Sequence, residues 1–162
     1  MKCFVALAFL CCALHSTAVA QPTQVRFTAG VTTFADDGAV HEAAVGGGVR
    51  FHFSRRWSVE PEFIYATKRN DHSSILWGNV AFDFRDRDRK IVPYWYGGPG
   101  LVRHTSTFGS FSFTATEAAF GTGGGVRFLL SDRVFVAPQV RFGVADGVFA
   151  EVTGSIGFIL KK

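Results

Sequence analysis

The sequence predicts an all-β fold, an eight-stranded antiparallel up-and-down transmembrane β-barrel. Three observations lead there. Apolar and polar residues alternate with period two along most of the chain, and no stretch sustains a helical period. Glycine and phenylalanine dominate the 162 residues, with 18 of each. Finally, a sixteen-residue stretch occurs twice: Gly46-Gly47-Gly48-Val49-Arg50-Phe51 with Ser54, Arg56, Val59 and Pro61 returns 77 positions later as Gly123-Gly124-Gly125-Val126-Arg127-Phe128 with Ser131, Arg133, Val136 and Pro138, ten of sixteen positions being identical. Each copy reads as strand, tight polar turn and strand, so the architecture is assembled from like hairpins.

The first twenty residues are set apart from the fold. Lys2, the apolar run Phe4 to Leu14 and the small-residue close Ala18-Val19-Ala20 read as a secretory signal cut before Gln21, which leaves residues 21–162 as one barrel domain. The apolar run is too short to span a bilayer as a helix. A lipid-carrying Cys11 or Cys12 would leave a hydrophobic segment far shorter than export needs. All three cysteines (Cys3, Cys11, Cys12) leave with the signal, so the mature chain is held together without disulfides. The formal charge of +4 falls to +3 without Lys2, a balance that points to no nucleic-acid partner and to no strongly acidic one.

The strands follow in order. The first, about 24–35, sets Val25, Phe27, Ala29 and Val31 against Arg26, Thr28, Gly30 and Thr32. The second, about 43–53, opposes Val45, Val49, Phe51 and Phe53 to Gly46, Gly48, Arg50 and His52. In the third, about 57–67, Trp57, Val59, Pro61, Phe63 and Tyr65 face away from Ser58, Glu60 and Glu62; in the fourth, about 75–85, Leu76, Val80, Phe82 and Phe84 face away from Trp77, Asn79, Asp83 and Arg85. The fifth, about 91–103, is ambiguous, since Tyr94, Tyr96 and Val102 oppose Trp95 and Leu101. The sixth, about 117–130, sets Phe120, Val126, Phe128 and Leu130 against Glu117, Gly121, Gly123 and Arg127. The seventh, about 133–144, sets Val134, Val136, Val140 and Phe142 against Gln139 and Arg141, and the last, about 148–160, has the cleanest alternation, with Phe149, Glu151, Thr153 and Ser155 on the polar side. Compact polar turns at 54–56, 86–90 and 131–133 take turns with mostly longer connections at 36–42, 68–74 and 104–116, the pattern of a closed meander.

Period two does not say which face points inward. The polar face decides it, because it combines glycine with Arg26, Arg50, Arg85, Arg127, Arg141, Glu60, Glu62, Asp83, Glu117 and Glu151. Glycines inside a narrow barrel leave room for long charged side chains, and five arginines against five carboxylates fill a lumen without an isolated charge. The apolar face then meets lipid, with Trp57, Tyr65, Phe53, Phe128, Phe142 and Phe158 as interfacial aromatics. Pro61, Pro93, Pro99 and Pro138 fall inside these strands, where a closed barrel has no free edge, and are expected at bulges or strand ends.

On the paired Gly-Gly-Gly-Val-Arg-Phe hairpins, the Tyr94-Trp95-Tyr96-Gly97-Gly98-Pro99-Gly100 strand and the terminal alternating strand, the chain resembles the small bacterial outer-membrane β-barrels with OmpA/OmpX-like transmembrane domains, over residues 24–160. The resemblance implies the cell outer membrane, contact with its lipid and lipopolysaccharide, assembly by the outer-membrane insertion machinery, and a non-enzymatic structural or surface-interaction role with no cofactor. One departure is the end of the chain. Members usually finish on an aromatic residue, whereas Phe158 is followed by Ile159-Leu160-Lys161-Lys162.

Two other functions are open at this stage. One is a soluble exported barrel binding a small apolar ligand. The other is a lipid A deacylase, because His104, Ser106 and Glu117 supply the types of a nucleophilic triad. The outer-membrane lipid A deacylases that this resembles carry Asn after the serine, and here Thr107 stands there. His41, His52, His72 and His104 lack ligand-like spacing, so no metal site is expected, and no helix follows the glycine triplets to make a phosphate loop. Arg55-Arg56 and Arg85–Lys90 read as solvated turns at the periplasmic end; Lys68 and Arg69, at the other end, are placed to meet lipopolysaccharide head groups.

Overall fold

A computed structural model describes residues 22–35, 39–69, 71–108 and 111–160. The expected signal segment, with its cysteines, and the final Lys161-Lys162 lie outside the described residues. Eight strands, β1 (Thr23–Ala35), β2 (Ala39–His52), β3 (Trp57–Lys68), β4 (Asp71–Asp83), β5 (Ile91–Phe108), β6 (Phe111–Leu129), β7 (Val134–Val144) and β8 (Val148–Leu160), form a closed barrel in sequence order. Every neighbouring pair is antiparallel, and β1 closes on β8 from Thr23–Leu160 to Ala35–Val148. The start of β1, the end of β8 and the turns 54–56, 84–90 and 130–133 therefore share one end of the barrel, called here the terminal end.

The alternation settles every face. Phe27, Phe63, Leu76, Leu101, Phe142 and Val152 stand at half exposure or more on the outside, while Trp77, Tyr94, Tyr96, Arg127, Arg141 and Glu151 are buried within. The ambiguous fifth strand resolves with Tyr94, Tyr96 and Val102 inward and Trp95 and Leu101 outward. A soluble barrel for an apolar ligand needs the opposite arrangement. That reading is set aside.

The connections at the far end are shorter than expected. β2 begins at Ala39 and β4 at Asp71, and most of the expected loop 104–116 is paired strand, running to Thr107–Ser112 and Phe108–Phe111. Its Ser, Thr and Phe residues suit a pleated surface, and the Thr105 and Thr114 hydroxyls meet across the two strands at 3.2 Å. The β5–β6 hairpin consequently rises beyond its neighbours.

The repeat reproduces geometry as well as letters. Trp57 N–H donates to Ser54 Oγ at 3.0 Å, and Val134 N–H, 77 positions on, donates to Ser131 Oγ at 3.1 Å. A Cβ on Gly46 would lie 2.3 Å from the Phe63 carbonyl oxygen, and one on Gly123 would lie 2.1 Å from that of Val140. The prolines follow the same logic. The β2–β3 ladder runs to Gly48–Glu62 and resumes at Phe51–Val59, lapsing opposite Pro61; the β6–β7 ladder lapses likewise opposite Pro138, between Gly125–Gln139 and Phe128–Val136. Pro99 marks a third lapse, between Trp77–Gly100 and Val80–Gly97. Register is the same on both sides of each lapse. These three prolines therefore sit at local interruptions of one ladder, not at bulges or strand ends, and each stays paired on its other side, to Gly78, Gly154 and Phe120.

Candidate functional site

The lumen is built in three levels. Nearest the terminal end, inward residues of seven strands meet in a chain of alternating charges. Arg141 donates to Glu62 Oε2 at 2.5 Å and lies 3.6 Å from Glu151; Arg26 pairs with Glu62 at 2.6 Å and with Glu60; Arg50 pairs with Glu60 and, at 3.5 Å, with Asp83; Arg127 reaches Asp83 at 3.1 Å. Four guanidinium groups and four carboxylates thus alternate along one path. Side chains at these positions are 5% exposed or less, so each charge has exchanged water for an opposite charge.

Neutral polar groups and rings complete this level. Gln139 accepts from Arg26 at 2.7 Å and from the Tyr94 hydroxyl at 2.9 Å, Gln24 accepts from Arg127 at 3.0 Å, and Asn79 donates to Glu62 at 3.3 Å. Arg141 is stacked between Trp77 and Tyr96, with its guanidinium carbon 4.6 and 4.9 Å from the ring centres, and Arg50 lies 4.7 Å from Tyr94. Sequence reasoning missed Gln24, Asn79, Gln139 and the three rings as partners. Their inward parity was the available signal.

Two of the ten residues expected in this network stand elsewhere. Arg85 is exposed beyond the end of β4, which stops at Asp83, so its parity is right but the strand has ended. Glu117 faces inward at the far rim, where its Oε2 accepts the Asp146 N–H at 3.2 Å. The glycines also have another use than expected. Gly100 lies under the Trp77 ring, Gly143 under Phe149 and Gly157 under Phe135, where an added Cβ would come within 2.2 to 2.4 Å of ring carbons. They make room for aromatic rings more than for arginines.

Above the charged level lies an apolar one, formed by Ala44, Ile64, Ile75, Trp77, Val102 and Phe149, each almost wholly buried, with Phe34 packed against it. Beyond this, the lumen opens at the far end into a pocket of about 330 Å³. Glu42, Asp71, Glu117 and Asp146 line it together with Phe34, Val40 and Val148. His104 and Ser106 line it too, which turns them towards the lumen and away from the lipid face. His104 Nδ1 is bonded to Ser73 Oγ at 2.8 Å, and its ring meets Phe34 edge-on at 4.8 Å. Its partner is Ser73 and not Ser106, and Glu117 is engaged by Asp146; the triad geometry is not assembled.

Comparison with known proteins agrees with this architecture. Among curated proteins, none matches the sequence. Among solved structures, the N-terminal β-barrel domain of Pseudomonas aeruginosa OprF is 12% identical with a TM-score of 0.71, over 86% of this chain and 100% of that one. Neisserial surface protein A is 13% identical with a TM-score of 0.73, over 84% and 96%, and the Yersinia pestis attachment invasion locus protein Ail is 12% identical with a TM-score of 0.65, over 85% and 97%. At such identities the likeness is one of fold. The outer membrane protein beta-barrel domain model matches residues 4–147, most of the chain, and with the closed eight-stranded barrel and its apolar exterior this places the chain in the outer membrane, as a member of the outer membrane protein beta-barrel domain family.

Proposed function

We propose that the chain is a non-enzymatic outer-membrane barrel with a sealed lumen, whose role is structural and surface-directed. One observation carries this reading: two closures stand in series along the lumen, a charge-paired level and a buried apolar level. An ion crossing the barrel would have to displace paired guanidinium groups and then pass a layer holding Ile64, Ile75, Trp77, Val102 and Phe149. In an eight-stranded barrel side chains fill the interior, so the network acts as a plug and not as a path. Assembly through the outer-membrane insertion machinery is part of the same proposal.

With the terminal end of the barrel on the periplasmic side, the far mouth and the β5–β6 hairpin face the exterior. Lys68 and Arg69 are exposed at that end and Arg103 projects outward from β5, which supports contact with lipopolysaccharide phosphates. A lipid deacylase reading loses support, because an acyl ester arriving along the outer wall meets neither His104 nor Ser106. The test is planar-bilayer recording of the purified barrel in molar potassium chloride. No unitary current steps are expected; reproducible steps absent from mock preparations would overturn the sealed lumen.

A further inference from the structure

The far-mouth pocket has an electrostatic character opposite to that of the chain. Basic residues outnumber acidic ones, 17 to 13, yet among the described residues four carboxylates and no lysine or arginine line this cavity, beside His72 and His104. Among the described residues none of the four takes part in an ion pair, since the buried arginines are consumed below the apolar layer by Glu60, Glu62, Asp83 and Glu151. Glu42 is the sharpest case. It projects from β2 into the mouth, is 3% exposed, and its Oε2 has no hydrogen-bond partner. A carboxylate oxygen removed from water without a donor is costly, and a ligand that supplies one recovers that cost.

The lining also selects among ligands. An anion is repelled, and a neutral apolar molecule would bury these carboxylates further without pairing them. A bare metal ion fits poorly, because among the described residues no three His, Cys, Asp or Glu side chains converge on one point. Beside Glu42 the lining turns apolar, with Val40 two residues before it on β2 and Phe34 paired with Val40 on β1, and Phe34 is itself braced against the layer below. About 330 Å³ is the lower range of small-molecule pockets. We propose that the far mouth of the barrel binds a small organic cation, an ammonium or guanidinium head on a short aliphatic body, with Glu42 as the buried anchor and Phe34 beside the body.

Such a cation is either a free amine or the side chain of a lysine or arginine on a peptide, and two probes separate these sources. Calorimetric titration of the full barrel in dodecyl maltoside is made with 1,5-diaminopentane and with N-acetyl-lysine amide, against 1,5-pentanediol and magnesium chloride at matched ionic strength. Saturable binding of at least one amine is expected, the tighter one identifying the source, with none of the diol and no displacement by magnesium. Glu42→Gln is expected to weaken the amine about tenfold or more, as the loss of a charged hydrogen bond does, and Glu117→Gln to weaken it less. Heat-shifted gel mobility checks that each variant is folded. The proposal is overturned by an absence of saturable heat, by diol binding as strong as amine binding, by displacement by magnesium, or by a folded Glu42→Gln barrel that binds unchanged. It does not rest on the sealed lumen: a conducting barrel would fail the bilayer recordings and still bind the amine.

Discussion

Arg141 shows what a single residue carries in this barrel. It is fully buried, holds Glu62 and Glu151, and is clasped by two rings. Truncation to leucine leaves both carboxylates without this partner, which typically costs about 3–5 kcal/mol for a buried pair. Urea titration of the refolded protein in detergent is expected to show a loss of that order. Arg85, the same residue type on the same sequence parity, is exposed in a turn, and its change to alanine is expected to stay within about 0.5 kcal/mol. Equal losses for the two would mean that the buried chain of charges does not govern stability. Parity shows which way a residue points. It does not show whether the strand is still present at that height.

At the scale of elements, the duplicated hairpin fixes a close approach between neighbouring strands. The Gly46 and Gly123 positions each bring a neighbouring strand's carbonyl oxygen within 2.3 Å of an ideal Cβ, so no side-chain rotation relieves the clash. Alanine at either is expected to destabilise by about 1–3 kcal/mol, the usual range for overpacking, and by similar amounts in the two copies. At Gly154, on the outer face, an added Cβ meets nothing within 4 Å, and alanine is expected to be neutral or stabilising by less than about 1 kcal/mol. Unfolding midpoints of the three variants check this, and a large loss at only one of the paired glycines would break the equivalence of the hairpins. The proline lapses belong to the same scale. Sequence placed Pro61 and Pro138 at matching positions, but that the ladder simply pauses and keeps register depends on how three strands meet.

For the whole molecule, the decisive property is an interior more polar than the exterior. Phe63 is half exposed, near the middle of β3, on the face opposite the buried Glu60 and Glu62. Phe63→Arg puts a charge at mid-membrane depth and is expected to cost about 2–4 kcal/mol in lipid bilayers, measured by unfolding from vesicles. A change of under about 0.5 kcal/mol, the scale of an ordinary solvent-facing site, would contradict the lipid-facing assignment.

By itself the sequence determined the strand number, the approximate spans, the face of almost every residue and hence the membrane setting, because a period of two is a property of the chain that any register must respect. Tertiary structure decided what pairs with what. The order of the charge chain from Glu151 to Arg127, the exclusion of Arg85 and Glu117 from it, the apolar level around Phe149, and the acidic mouth above it all depend on the stagger between strands far apart in sequence. Alternation carries no information about height along the barrel axis, and height is what separates the plug from the pocket.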